Sequence, residues 1–183
     1  MASTGHFYSL FADLKRKKLS SCGLNLRGQC GFDPSEDEII EYPKIFKNFD
    51  TKFTPDETIL EIHSGNSHNI IRTNKALYFV GNTNNWQLEE ALGNNTGLDY
   101  LLFHELNFSE IYDYRYEDVE RVQCKYDKSI IYFKNGDIIL FGNLLMLNPE
   151  DAVDYEIFKA DRLDYRIRDF GIGFHSDLIA VEY

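Results

Sequence analysis

Five histidines (His6, His63, His68, His104 and His175) and three cysteines (Cys22, Cys30 and Cys124) are the side chains of this 183-residue chain that could ligate a metal or act as nucleophiles. Their spacing argues against both. No histidine stands at ligand spacing from a second His, Cys or carboxylate on one local element, and an odd cysteine count without a Cys-x-x-Cys pair indicates neither a zinc site nor a disulfide framework. The thiols read as reduced and partly buried. Carboxylate pairs such as Glu36 with Glu38, or Asp113 with Glu117, arise readily among 30 Asp and Glu residues, and a solvated acidic face accounts for them. The sequence contains no Walker loop, Rossmann glycine pattern or Gly-x-Ser-x-Gly elbow. The expectation is therefore no cofactor, no metal site and no enzymatic chemistry performed by the chain itself.

Two aromatic-basic segments offer recognition chemistry instead. Tyr112-Asp113-Tyr114-Arg115-Tyr116 combines large amphipathic rings with a guanidinium, the composition of an interface hot spot, and Tyr165-Arg166-Ile167-Arg168 occupies the comparable region further along. The candidate partner-binding residues are Tyr112, Tyr114, Arg115, Tyr116, Tyr165, Arg166 and Arg168. The competing role for the tyrosines is packing between structural elements. Lys15-Arg16-Lys17-Lys18 falls where a hairpin turns and reads as a solvated turn, with a nuclear-import signal as the alternative.

Charge narrows the partner. With 19 Lys and Arg against 30 Asp and Glu, the formal charge of -11 repels phosphate backbones, and no basic stripe interleaved with aromatics offsets it. Direct nucleic-acid binding is disfavoured, whereas a basic protein surface is attracted, chiefly through a faster on-rate. No run of 18 apolar residues and no basic-then-apolar leader pattern occurs, so the expectation is a soluble intracellular protein, cytoplasmic or nuclear, without a membrane partner.

The elements that must position these residues repeat. Gly23, Gly81 and Gly142 each close a pair of short β-rich runs, and they recur at intervals of about 60 residues. Asn135-Gly136 between two apolar runs is the strongest hairpin signal. Ile130 to Phe133 and Ile138 to Phe141 are apolar at consecutive positions, as in strands covered on both faces. Such strands need stacked neighbours, which points to an all-β propeller arc. The units are approximately 1–61, 62–121 and 122–170, followed by a stub at 171–183, within a single repeat domain. Outer strands are expected within Tyr42 to Phe46, Tyr100 to Phe103 and Tyr155 to Phe158.

The second half of the first unit, Gly23-Leu24-Asn25-Leu26-Arg27-Gly28-Gln29-Cys30-Gly31, together with Gly65-Asn66-Ser67-His68 in the second, resembles the repeat of the regulator of chromosome condensation family. Trp86 replaces the repeat's second glycine in the second unit, Asp127 stands where the histidine would be in the third, and the stub carries His175-Ser176. His68 and His175 lie on the motif, with an expected structural role of hydrogen bonding to backbone within the blade. The resemblance implies a propeller that is typically seven-bladed, of which this chain supplies about three blades. It also implies two functions: a protein-interaction scaffold, or guanine-nucleotide exchange on a small Ran-type GTPase, which needs no chemistry of its own. The unpaired edges of an arc further suggest self-association.

Overall fold

Tight turns between short apolar runs dictate the architecture. A computed structural model describes residues 1–15, 17–46, 53–81, 104–106, 114–142, 155–162, 166–172 and 177–182. The first sheet consists of β1 (Ala2–Thr4), β2 (Tyr8–Asp13), β3 (Lys18–Leu24) and β4 (Ile39–Ile45), hydrogen-bonded in that order. The second holds β5 (Ile59–Ser64), β6 (His68–Thr73), β7 (Leu77–Gly81) and β8 (His104–Glu105). The third holds β9 (Val119–Lys125), β10 (Lys128–Phe133), β11 (Ile138–Gly142) and β12 (Tyr155–Phe158). A hairpin of β13 (Arg166–Ile172) and β14 (Asp177–Glu182) follows. Every pairing is antiparallel.

The first strands of successive sheets, β1, β5, β9 and β13, lie against one another, so each sheet is a blade whose chain runs from an inner strand to an outer one. Two of the expected outer strands fall on β4 and β12, while Tyr100 to Phe103 lies outside the described residues. Apolar side chains fill the spaces between blades. Leu10, Ala12, Leu19 and Phe46 of the first blade meet Ile59, Ile62, Ile71 and Val80 of the second. Ile70, Leu77 and Phe79 of the second meet Val122, Ile131, Ile139 and Phe141 of the third. Strands with a blade on each side are buried along their length, as β7, β10 and β11 are. In β2 burial alternates: Tyr8, Leu10 and Ala12 face the second blade, whereas Ser9 and Phe11 are only half-buried.

The closing glycines are fixed by geometry. Gly23, Gly81 and Gly142 have φ of 110°, 114° and 114°. A Cβ there would lie 2.4, 2.4 and 2.1 Å from the carbonyl oxygens of Phe7, Ser67 and Asp127. Only glycine tolerates both the left-handed backbone and that approach. Each glycine faces the first residue of the neighbouring strand, namely Tyr8, His68 and Lys128. Lys128 therefore takes the position of His68 in the third blade, which corrects the expectation of Asp127; the strand register, invisible in a motif comparison, advances it by one residue.

Gly142→Ala is expected to cost about 3 kcal/mol or more, strained backbone and steric clash combined. Gly136→Ala, where the added Cβ would meet only the Ala160 methyl at 3.0 Å, is expected to cost about 1 to 2 kcal/mol for the left-handed backbone. Urea unfolding of the two variants checks the order.

Candidate functional site

The blades are joined by polar side chains that cross from one to the next. The Tyr8 hydroxyl lies 2.8 Å from the His68 carbonyl oxygen, 3.0 Å from Asn69 Oδ1 and 3.2 Å from the Gly65 carbonyl oxygen, all on the second blade. His68, at the matching position of the second blade, places Nε2 2.7 Å from Ser129 Oγ on the third. Tyr8 to Asn69 and His68 to Ser129 are both separations of 61 residues, so one repeat period carries one crossing bond. Asn69 completes the junction by donating from Nδ2 to the Gln29 carbonyl at 2.8 Å. The structural role expected of His68 is thus corrected in its partner: it bonds a side chain in the next blade, not backbone within its own. The signal was present in the sequence as polar residues at one repeat offset, at positions 8, 68, 69 and 129.

His68 is fully buried and stacked on Phe79, with ring centroids 5.9 Å apart. Burial alone pushes its imidazole down to about 3. Nδ1 is buried without a partner among the described residues, so the neutral tautomer carrying its proton on Nε2 fits the site: Nε2 donates to Ser129 Oγ, and that hydroxyl donates to Cys124 Sγ at 3.5 Å. Burial likewise pushes the Cys30 and Cys124 thiols up to about 12, where they are inert as nucleophiles. Among the described residues no three His, Cys, Asp or Glu side chains gather as a metal-binding group.

The aromatic-basic segment divides by residue. Tyr114 is buried, stacked on Phe133 at 4.2 Å, and donates its hydroxyl to Asp137 Oδ2 at 2.6 Å. Lys159 Nζ reaches the same hydroxyl at 2.5 Å and Asp137 Oδ2 at 3.2 Å. Burial raises the Asp137 carboxyl, but hydrogen bonds from Tyr114, the Ala160 amide, Lys159 and Asn135 outweigh it and hold the group below the ordinary carboxylate range. Tyr116 is half-buried and donates its hydroxyl to the Thr73 carbonyl, fastening this segment to the second blade. Arg115, between the two tyrosines, is exposed and its guanidinium forms no hydrogen bond or ion pair among the described residues.

Two anchored rings therefore flank a cation that is unpaired among the described residues. Arg166 and Arg168 lie on β13, and Tyr112 and Tyr165 lie outside the described residues. Of the basic turn, Arg16 is outside the described residues and Lys17 donates to the Pro55 carbonyl at 2.5 Å. Sequence patterning alone passed over one further feature, the exposed apolar residues of β4 and the loop before it: Leu26 is 55%, Ile39 64% and Tyr42 79% exposed.

Four-stranded antiparallel blades, stacked from inner to outer strand and laced by side chains at one repeat period, define an all-β propeller arc. In fold it is similar to the propeller of the regulator of chromosome condensation, RCC1. Yeast RCC1 (Prp20), solved bound to Kap60, superposes with a TM-score of 0.72 at 21% identity, covering 97% of this chain and 40% of that one. Human WBSCR16 matches with a TM-score of 0.67 at 16% identity, over 93% of this chain and 42% of that one. Prp20p from Saccharomyces cerevisiae, described for its binding to Gsp1p and histones, matches with a TM-score of 0.60 at 21% identity, over 78% and 32%. The chain thus spans about four-tenths of the length of the first structures it matches. No family model and no curated protein matches the sequence.

The depressed His68 value fixes the sign of a pH effect. Folding keeps the ring neutral, so its contribution is complete above the unfolded value near 6.5 and is lost progressively as pH falls toward about 3. Depressed carboxylates act only below their own unfolded values of roughly 4, leaving pH 5 to 6.5 to the histidine. Between pH 7.5 and pH 5, urea unfolding should show wild-type stability falling by about 2 kcal/mol and His68→Gln falling much less. Equal slopes in the two proteins would remove His68 from this role.

Proposed function

We propose that the chain is a non-catalytic protein-interaction scaffold, a single repeat domain with units near 1–61, 62–121, 122–170 and 171–183 that works in the cytoplasm or nucleus. The observation that carries this reading is Arg115, held exposed on a base in which Tyr114 is locked by Asp137 and Lys159, and Tyr116 by the Thr73 carbonyl. Anchored rings on either side hold the Arg115 backbone, and its exposed guanidinium suits a carboxylate-bearing protein surface. Tyr112, Tyr165, Arg166 and Arg168 are further partner-binding residues in this proposal, with Tyr114 and Tyr116 anchoring the segment that carries Arg115. Among the described residues no helix is long and apolar enough to cross a membrane.

A second reading is favoured by the likeness to Prp20p, described for its binding to Gsp1p and histones. In it the chain binds a small Ran-type GTPase and promotes or regulates nucleotide exchange, wedging loops against the nucleotide site rather than doing chemistry. A basic protein partner suits the charge of -11 under either reading.

Release of labelled GDP from a Ran-type GTPase separates the two: acceleration supports exchange, and an unchanged rate with retained partner capture supports the scaffold. For the scaffold, proximity labelling with wild type and with Arg115→Glu should yield proteins depleted at least about tenfold by the charge reversal, typical of losing an interfacial hot spot. The variant should keep the wild-type circular dichroism spectrum, because the side chain is exposed. An identical set of captured proteins would refute the role given to Arg115.

A further inference from the structure

The outermost strand of the first blade, β4, is described along all 7 of its residues, Ile39–Ile45. It displays Ile39 and Tyr42 at 64% and 79% exposure, and Leu26 on the loop leading to it is 55% exposed. Leu26 follows the Leu24–Ile39 pair by two residues, and Tyr42 stands in the register shift between the Ser21–Lys44 and Gly23–Ile40 pairs, so exposed apolar side chains gather along this one outer strand, as on an interaction surface. Their backbone is held in place: Leu24 pairs with Ile39, and the Asn25 amide donates to the Glu38 carbonyl at 2.8 Å. The Asn25 side chain donates to the Phe32 and Asp37 carbonyls at 2.9 and 2.8 Å and accepts from the Cys30 amide at 2.9 Å.

The charges around the patch select its occupant. Glu36, Glu38 and Glu41 are exposed and form no ion pair among the described residues. The nearby cation, Lys44, is committed to Asp37 and sits 4.5 Å over the Phe32 ring. Pro43 within β4, together with Lys44, guards the edge against addition of a further strand, which leaves the side chains as the docking elements. A second copy would bring another charge of -11 against this one, and phosphate-bearing surfaces meet the same repulsion.

We propose that the Leu26, Ile39 and Tyr42 patch, rimmed by Glu36, Glu38 and Glu41, docks a Lys/Arg-rich polypeptide segment with interspersed apolar side chains. The apolar residues of that segment cover Ile39 and Tyr42, and its cations meet the glutamates. This deepens the scaffold reading and rests on it, but it uses a surface separate from Arg115.

Fluorescence anisotropy of the full chain tests it, with a fluorescein-labelled peptide of Lys, Arg and interspersed Leu, and a matched peptide in which Ser replaces Leu. The expected result is binding weakened about tenfold by Glu38→Lys with Glu41→Lys, and several-fold both by Tyr42→Ala and by the Ser peptide. The equally charge-changing pair Glu117→Lys with Glu120→Lys, exposed on the third blade, should leave affinity within about twofold of wild type. All these positions are exposed, and circular dichroism verifies the fold of each variant. The proposal is overturned if the third-blade pair weakens binding as much as the β4 pair, if Tyr42→Ala has no effect, or if wild type binds neither peptide. Failure here with Arg115-dependent capture intact leaves the scaffold reading standing, whereas loss of that capture with peptide binding intact removes the Arg115 surface alone.

Discussion

The hydrogen bond that leaves one blade and ends in the next is the constraint on which the rest of the structure depends. A four-stranded sheet of this size buries too little on its own, and stacking blades buries the apolar faces that β6, β7, β10 and β11 present on both sides. Apolar contact is not directional, so it cannot by itself set how one blade is rotated against another. Tyr8 with its second-blade acceptors and His68 with Ser129 supply that direction, because a buried donor left without its acceptor costs more than the bond itself contributes. The closing glycines make those bonds possible: they bring β3, β7 and β11 back against the turns that carry Phe7, Ser67 and Asp127.

The proposed function rests on where this framework stops burying side chains. Inside the arc Asn69 is bonded on several sides, Glu57 accepts from Thr73 and Tyr78 at 2.7 and 3.0 Å, and Asp137 is shared among Tyr114, Asn135, Lys159 and the Ala160 amide. Such groups are structural because their hydrogen-bonding capacity is spent. The surfaces proposed for partners lie on loops and the outer strand: Arg115 between its anchored tyrosines, and the apolar and acidic side chains around β4. These surfaces differ in charge, so a chain of strongly acidic composition can still present an exposed cation to an acidic patch.

The propeller arc was legible in the sequence because its cause is local and repeated. A turn that only glycine can make recurs at Gly23, Gly81 and Gly142, and runs such as Ile138 to Phe141 are apolar at every position only where a strand is covered on both faces. Asn135-Gly136 forms the turn that its residue types dictate, with Gly136 at φ 90°. The site was harder to see. Tyr114, Arg115 and Tyr116 are adjacent and chemically alike as interface residues, yet one ring is stacked on Phe133, one hydroxyl is tied to the second blade and the cation between them is exposed.

That division reflects range. Turn conformation, strand formation and repeat period are decided within a few residues or by a pattern that recurs, so the sequence by itself determined an all-β arc of blades with an acidic surface. The position of Lys128 opposite Gly142, the Ser129 hydroxyl as the partner of His68, and the exposure of Tyr42 beside buried Ile40 were decided only by the tertiary structure. Each depends on register or on a neighbour about a full repeat away. Burial is a property of the assembled blades rather than of any residue's type.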